Sequence, residues 1–127
     1  IKEMSRESGF LIANLLHAGD GNLHPTVLFD ERKPGDTKRV MELGGEILKL
    51  CVDAGGVLSG EHGLGLEKQE HMPLMFTEDD MEAMSRLKPA FATDLMCNPG
   101  KVFPTGASCS DVRQAAAIAR AGAGAYI

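Results

Sequence analysis

The sequence predicts an α+β fold in which an antiparallel sheet carries helices packed on one face. Three observations point there. Two strand-length apolar runs flank an Asp-Gly turn. A stripe of apolar residues at helix spacing follows them. A glycine-dense loop then separates that helix from later helical stretches, giving the order β-β-α-loop-α.

Residues 1–9 are polar and end at Gly9, as the tail of a helix or a loop would. Residues 10–16, Phe-Leu-Ile-Ala-Asn-Leu-Leu, read as a buried strand. Asp20-Gly21 marks a turn, because glycine accepts positive φ and aspartate tolerates it. Residues 24–29 form the second strand, with Pro25 at its start, where a missing N–H is tolerated. A polar loop over 30–36 ends at Asp36 or Thr37, either of which suits a helix N-cap. Val40, Leu43, Ile47, Leu50 and Ala54 make the helix stripe, and Gly55-Gly56 ends it. Residues 57–59 are a short extended piece. The stretch Gly60-Glu61-His62-Gly63-Leu64-Gly65 cannot be a helix interior and is a shaped loop. A helical turn over 66–74 stops near Pro73. Thr77 and Asp80 form a capping box for a helix whose stripe is Met81, Met84, Leu87 and Phe91, kinked or shortened by Pro89. Residues 98–101, Asn-Pro-Gly-Lys, are a turn. Residues 1–106 read as one domain and 107–127 as an Ala/Gly-rich tail.

With 127 residues the chain can bury one core. Its net charge of −5 and lack of a basic run exclude nucleic acid as the main partner. No stretch approaches the ~20 apolar residues of a membrane span. The first residues have no signal-peptide layout, and position 1 is not Met, so the chain reads as a piece of something longer. Three cysteines, Cys51, Cys97 and Cys109, without CxxC spacing argue against a disulfide framework or a thiolate zinc cage and suggest a reducing cytoplasm. Trp is absent, so the core is aliphatic with methionine as filler.

Three of the four histidines lie in the two glycine-rich segments. His17 and His24 flank the hairpin turn. Their separation of seven does not place them on one face by strand periodicity, but a tight turn can fold both toward one point. Neutral imidazole suits Zn, Mn or Fe, and Glu61 is the carboxylate that completes such a set. Spacing alone leaves turn and surface roles open for all of them. Gly19-Asp20-Gly21 is not a dinucleotide fingerprint: the third glycine is missing and a strand, not a helix, follows. His71 lies outside the motifs and reads as a surface residue; Cys51 reads as helix packing.

Three segments together carry a resemblance: His-Ala-Gly-Asp-Gly-Asn-Leu-His-Pro at 17–25, Ser-Gly-Glu-His-Gly-Leu-Gly at 59–65 and Asn-Pro-Gly-Lys at 98–101. In this order and with these gaps they resemble the C-terminal region of FAD-linked oxidases of the vanillyl-alcohol oxidase type. The resemblance runs from about Phe10 to Pro104. It is strongest to the branch holding the flavin-binding D subunit of glycolate oxidase, D-lactate dehydrogenases and D-2-hydroxyglutarate dehydrogenases.

The resemblance implies a fragment of a ferredoxin-like cap domain. It implies a divalent metal (Zn, Mn or Fe) on His17, His24 and Glu61, which would grip the carboxylate and hydroxyl of a D-2-hydroxy acid or of glycolate, their achiral counterpart. His62 would be the general base beside the substrate, with Asn22 also substrate-binding and Asn98 near the flavin. Hydride would pass to FAD, held mainly by an N-terminal domain that these residues do not supply. Without that domain the chain is expected to be inactive and to self-associate. The resemblance further implies partner subunits, including an iron–sulfur subunit, and a cytoplasmic site peripheral to the inner membrane through them. Two other readings compete: a metal-dependent hydrolase using His17, His24 and Glu61, and a non-catalytic metal-binding module.

Overall fold

The structure is a computed structural model that describes residues 1–91, 98 and 100–104. The 107–127 tail and the readings of Cys97, Pro99 and Cys109 lie outside the described residues. The chain divides into two compact units, Ile1–Glu61 and His62–Ile127. Among the described residues no helix is long and apolar enough to cross a membrane.

The first unit opens with α1 (Lys2–Ser8), which ends at Gly9 in the left-handed region at φ 75°. Strands β1 (Leu11–His17) and β2 (Asn22–Leu28) pair antiparallel in a two-stranded sheet. They are joined by four residues in which the Asp20 N–H donates to the His17 carbonyl and Gly21 takes φ 70°. The register runs from Leu11 opposite Leu28 to His17 opposite Asn22. Ser5 ties α1 to the sheet: its hydroxyl donates to the Phe10 carbonyl at 2.7 Å, and the Ile12 N–H donates to that hydroxyl at 3.3 Å.

Helix α2 (Asp36–Asp53) supplies the other half of the core. Phe10 and Ile12 pack with Leu43 and Ile47, and Ile1, Met4, Val27, Val40 and Cys51 close around them. Ile12 and Val27 are cross-strand partners, so this one face of the sheet meets α2 at the end away from the turn. Two expectations for α2 change. The N-cap is Gly35 at φ 88°, not Asp36 or Thr37. Asp36 sits in the first turn instead, where its carboxylate takes the Arg39 guanidinium at 3.2 Å. Leu50 belongs to the apolar stripe but remains 49% exposed, beyond the edge of the Leu43–Ile47 contact. The helix end is as expected and its mechanism is visible. The Gly56 N–H donates to the Cys51 carbonyl and the Gly55 N–H to that of Val52, with Gly55 at φ 85°. That is a Schellman reversal.

The second unit holds a 3₁₀ helix at Gln69–Leu74, then α3 (Glu78–Ser85) and α4 (Leu87–Phe91). Met72 and Met81 are buried. The capping box forms as read. The Asp80 N–H donates to Thr77 Oγ1 at 3.2 Å, and the Thr77 N–H donates to Asp80 Oδ2 at 2.9 Å. These donors, the Thr77 side chain first and its backbone second, hold the Asp80 carboxyl below the usual carboxylate range. The single expected helix is two, broken at Arg86. Pro89 explains the position: its ring opposes the carbonyl four residues back, which is Ser85, the last residue of α3. The break strands the rest of the stripe, and Leu87 and Phe91 are exposed.

Two stability results follow. Ile47→Ala is expected to lower unfolding free energy by about 2–5 kcal/mol in denaturant titrations, while Leu50→Ala changes it by no more than about 0.5 kcal/mol. Thr77→Ala is expected to weaken α3 by about 1 kcal/mol. Because the Asp80 carboxyl is depressed on folding, its contribution is present at neutral pH and is lost as pH falls through its folded pKa. The wild-type advantage over Thr77→Ala in circular-dichroism melts should therefore shrink on acidification.

Candidate metal and substrate site

The hairpin register builds the first half of the site. Residues directly opposed across an antiparallel pair share a face, as do positions two apart on one strand. His17 opposes Asn22 and Leu15 opposes His24. All four side chains therefore stand on the same face, the one opposite Ile12 and Val27. His17 and His24 are diagonal neighbours on it, with ring centroids 5.2 Å apart and planes at 87°. Counting seven along the chain missed this, because the four loop residues do not alternate and face parity follows register.

The second half arrives from α2. After the Schellman reversal, residues 57–60 return the chain with Leu58 buried, and Glu61 ends the unit beside the histidines. Glu61 Oε1 lies 3.0 Å from His24 Nε2 and 4.0 Å from His17 Nε2. One donor atom from each of the three residues fits within 4.8 Å. His24 is the most covered, with its side chain 20% exposed against 53% for His17 and 45% for Glu61. Asn22 Nδ2 makes a long contact of 3.5 Å with the same His24 nitrogen.

The donor set fits a divalent cation of the zinc type. Bonds of about 2.0–2.1 Å in tetrahedral geometry put neighbouring donors about 3.3 Å apart. The 3.0 and 4.0 Å separations bracket that value. Three protein donors would also leave a position open on such a cation for a water or ligand oxygen.

The remaining expected site residues fall differently. His62 is the next residue after Glu61, exposed, and begins the second unit. Asn98 is exposed at φ 46°; its Oδ1 accepts from Lys101 Nζ at 3.0 Å and its carbonyl from the Lys101 N–H. The carboxamide thus braces its own turn. The turn is in turn joined to the glycine loop, since the Val102 N–H donates to the Gly65 carbonyl at 2.8 Å. Two sequence motifs separated by more than thirty residues meet through that bond. His71, read as a surface residue, is half-buried in the 3₁₀ helix and outside the donor group. Leu15 was not singled out by the sequence. Its position opposite His24 makes it a neighbour of the donors, and only the register reveals it.

The chain belongs to the family of FAD linked oxidases, C-terminal domain, whose model matches residues 1–102. Among similar proteins is the glycolate oxidase subunit GlcD of Escherichia coli K12, 46% identical over 111 residues that cover 87% of this chain and 22% of that protein. The Bacillus subtilis glycolate oxidase subunit GlcD is 36% identical over 81% of this chain and 22% of its own. A D-lactate dehydrogenase of Archaeoglobus fulgidus is 39% identical over 79% of this chain and 22% of its own. The chain thus spans about a fifth of the length of these relatives.

Zinc titration of the purified chain, followed calorimetrically, checks the donor set. His24→Ala should weaken binding by at least about 100-fold, the upper end of what losing even an outer contact costs, while His71→Ala should leave it unchanged.

Proposed function

We propose that this chain carries the cation and substrate end of a flavin-dependent 2-hydroxy-acid oxidoreductase, with glycolate as the first substrate to test. The observation that carries the reading is the convergence of two imidazoles and one carboxylate at a single corner of the first unit. Family membership and the names of the similar proteins support the redox class over a hydrolase or a bare metal-binding module.

His17, His24 and Glu61 hold the cation, Zn, Mn or Fe. When bound, the cation would polarise the substrate hydroxyl, and FAD, held mainly by a further domain, would accept the hydride. Asn22, on the same face as both histidines, offers a carboxamide to the substrate. His62, beside the carboxylate ligand in sequence, takes the hydroxyl proton on its imidazole nitrogen. Asn98, braced by Lys101, presents its turn toward the flavin. Electron-accepting partner subunits, an iron–sulfur subunit among them, complete the proposed enzyme.

The test is dye-coupled glycolate oxidation. The isolated chain should show no flavin absorbance and no turnover. In the full-length enzyme His62→Asn should lower kcat by about 10²–10⁴ with zinc content unchanged. A His62→Asn enzyme as fast as wild type would remove His62 from the chemistry.

A further inference from the structure

The glycines of the 60–65 loop are glycine for different reasons. Gly63 at φ 78° and Gly65 at φ 55° occupy the left-handed region, and a Cβ on either would meet nothing within 4 Å. Their need is conformational. Gly60 is the reverse case: it is not among the positive-φ residues, so its backbone does not demand glycine. A Cβ there would instead stand 2.7 Å from Asn22 Oδ1, 3.0 Å from its Cγ and 3.4 Å from its Nδ2. What Gly60 supplies is the absence of a side chain where the residue before Glu61 meets Asn22 of the hairpin.

We propose that Gly60 and Asn22 form a positioning pair that sets how closely Glu61 approaches the two imidazoles; this rests on the cation reading above. The Asn22 carboxamide occupies the space where a Gly60 Cβ would stand, its Oδ1 nearest, and its Nδ2 reaches the His24 Nε2 at 3.5 Å. It is thereby a spacer with a fixed thickness between the residue preceding one ligand and the nitrogen of another. Glu61 is the next residue after Gly60, so a separation forced at Gly60 is passed toward the carboxylate. An added methyl cannot be absorbed without consequence. Either the carboxamide rotates away, losing its contact with His24, or the loop lifts and the 3.0 Å approach of Glu61 to His24 opens. In the first case His24 loses a neighbour that orients its ring, in the second the carboxylate moves off the imidazole, and either change loosens the preorganised donors.

A double-mutant cycle on zinc affinity tests the pair, with Gly60→Ala, Asn22→Ala and the double variant in the chain as it stands. Gly60→Ala should weaken zinc binding at least about tenfold while its metal-free circular dichroism matches wild type. In the Asn22→Ala background the same change should cost no more than about twofold, because the atom it collides with is gone. An equal loss in both backgrounds, or no loss in either, overturns the proposal. If Gly60→Ala fails to fold, the double variant should regain the wild-type spectrum; failure of that rescue also overturns it. Wild-type chain that binds no zinc defeats the cation reading before any variant is compared, and the pair falls with it.

Discussion

The register of one hairpin is the constraint on which the site depends. With His17 opposite Asn22, two imidazoles and a carboxamide share a face and stand as diagonal and direct neighbours. A slip by one residue would send one histidine to the opposite face. Register is strongly specified only where one face is buried, and here that specification comes from the far end of the strands. Ile12 and Val27, partners across the ladder, pack under Leu43 and Ile47 of α2. The core that fixes the ladder is therefore several residues away from the chemistry it fixes. The four-residue loop with its Asp20-to-His17 bond fixes it from the other end.

The helix that covers Ile12 of the hairpin also leads to the third donor. α2 packs on the end of the sheet away from the turn, and the chain after it returns to the histidines within a few residues. The paired Gly55 and Gly56 hydrogen bonds do this without leaving the last carbonyls unsatisfied. Gly56 is constrained doubly, since a Cβ there would lie 2.8 Å from the Cys51 carbonyl oxygen. Leu58 is then buried, which anchors the returning segment just ahead of Gly60 and Glu61. One element thus couples the packing of the unit to the placement of its carboxylate: loosening α2 would loosen both.

Much of this was legible in the residues. The existence of both strands, the helix stripe, the Gly55-Gly56 stop and the Thr77–Asp80 box all rest on local chemistry, and local chemistry decided them. But the expected buried strand is buried only at Ile12 within β1, and Pro25 falls mid-strand opposite Asn14 rather than at the start of β2, because α2 covers only the end of the hairpin away from the turn. The donor set was legible only as a list: His17, His24 and Glu61 carry the right ligand types, but nothing in their spacing says that they meet. The misses share a cause. Leu50 and Leu87 satisfy helical periodicity and are exposed because periodicity says which residues could face a core, not how far that core extends. Asp36 suits an N-cap by type, yet Gly35 takes the position because the preceding turn needs a left-handed residue there. Leu15 and Gly60 matter through what lies across from them, and a single sequence does not contain that information.

All three candidate donors belong to the unit Ile1–Glu61. That placement has an energetic consequence. The distances among them are set by one hairpin, one helix and the turn between that helix and Glu61, all within this unit. The cost is exposure: with His17 and Glu61 roughly half open, water competes for every donor and screens the charge. On the same face as the histidines stand Leu11, Leu15 and Leu28, all exposed. An apolar strip running up to a cation site does nothing for the cation while both are wet. Covered, it would lower the local dielectric, strengthen the pull of the ion on a bound oxygen and exclude the water that competes with substrate. For the cation proposed above, covering that face is therefore what would separate merely holding the ion from using its charge on a bound oxygen.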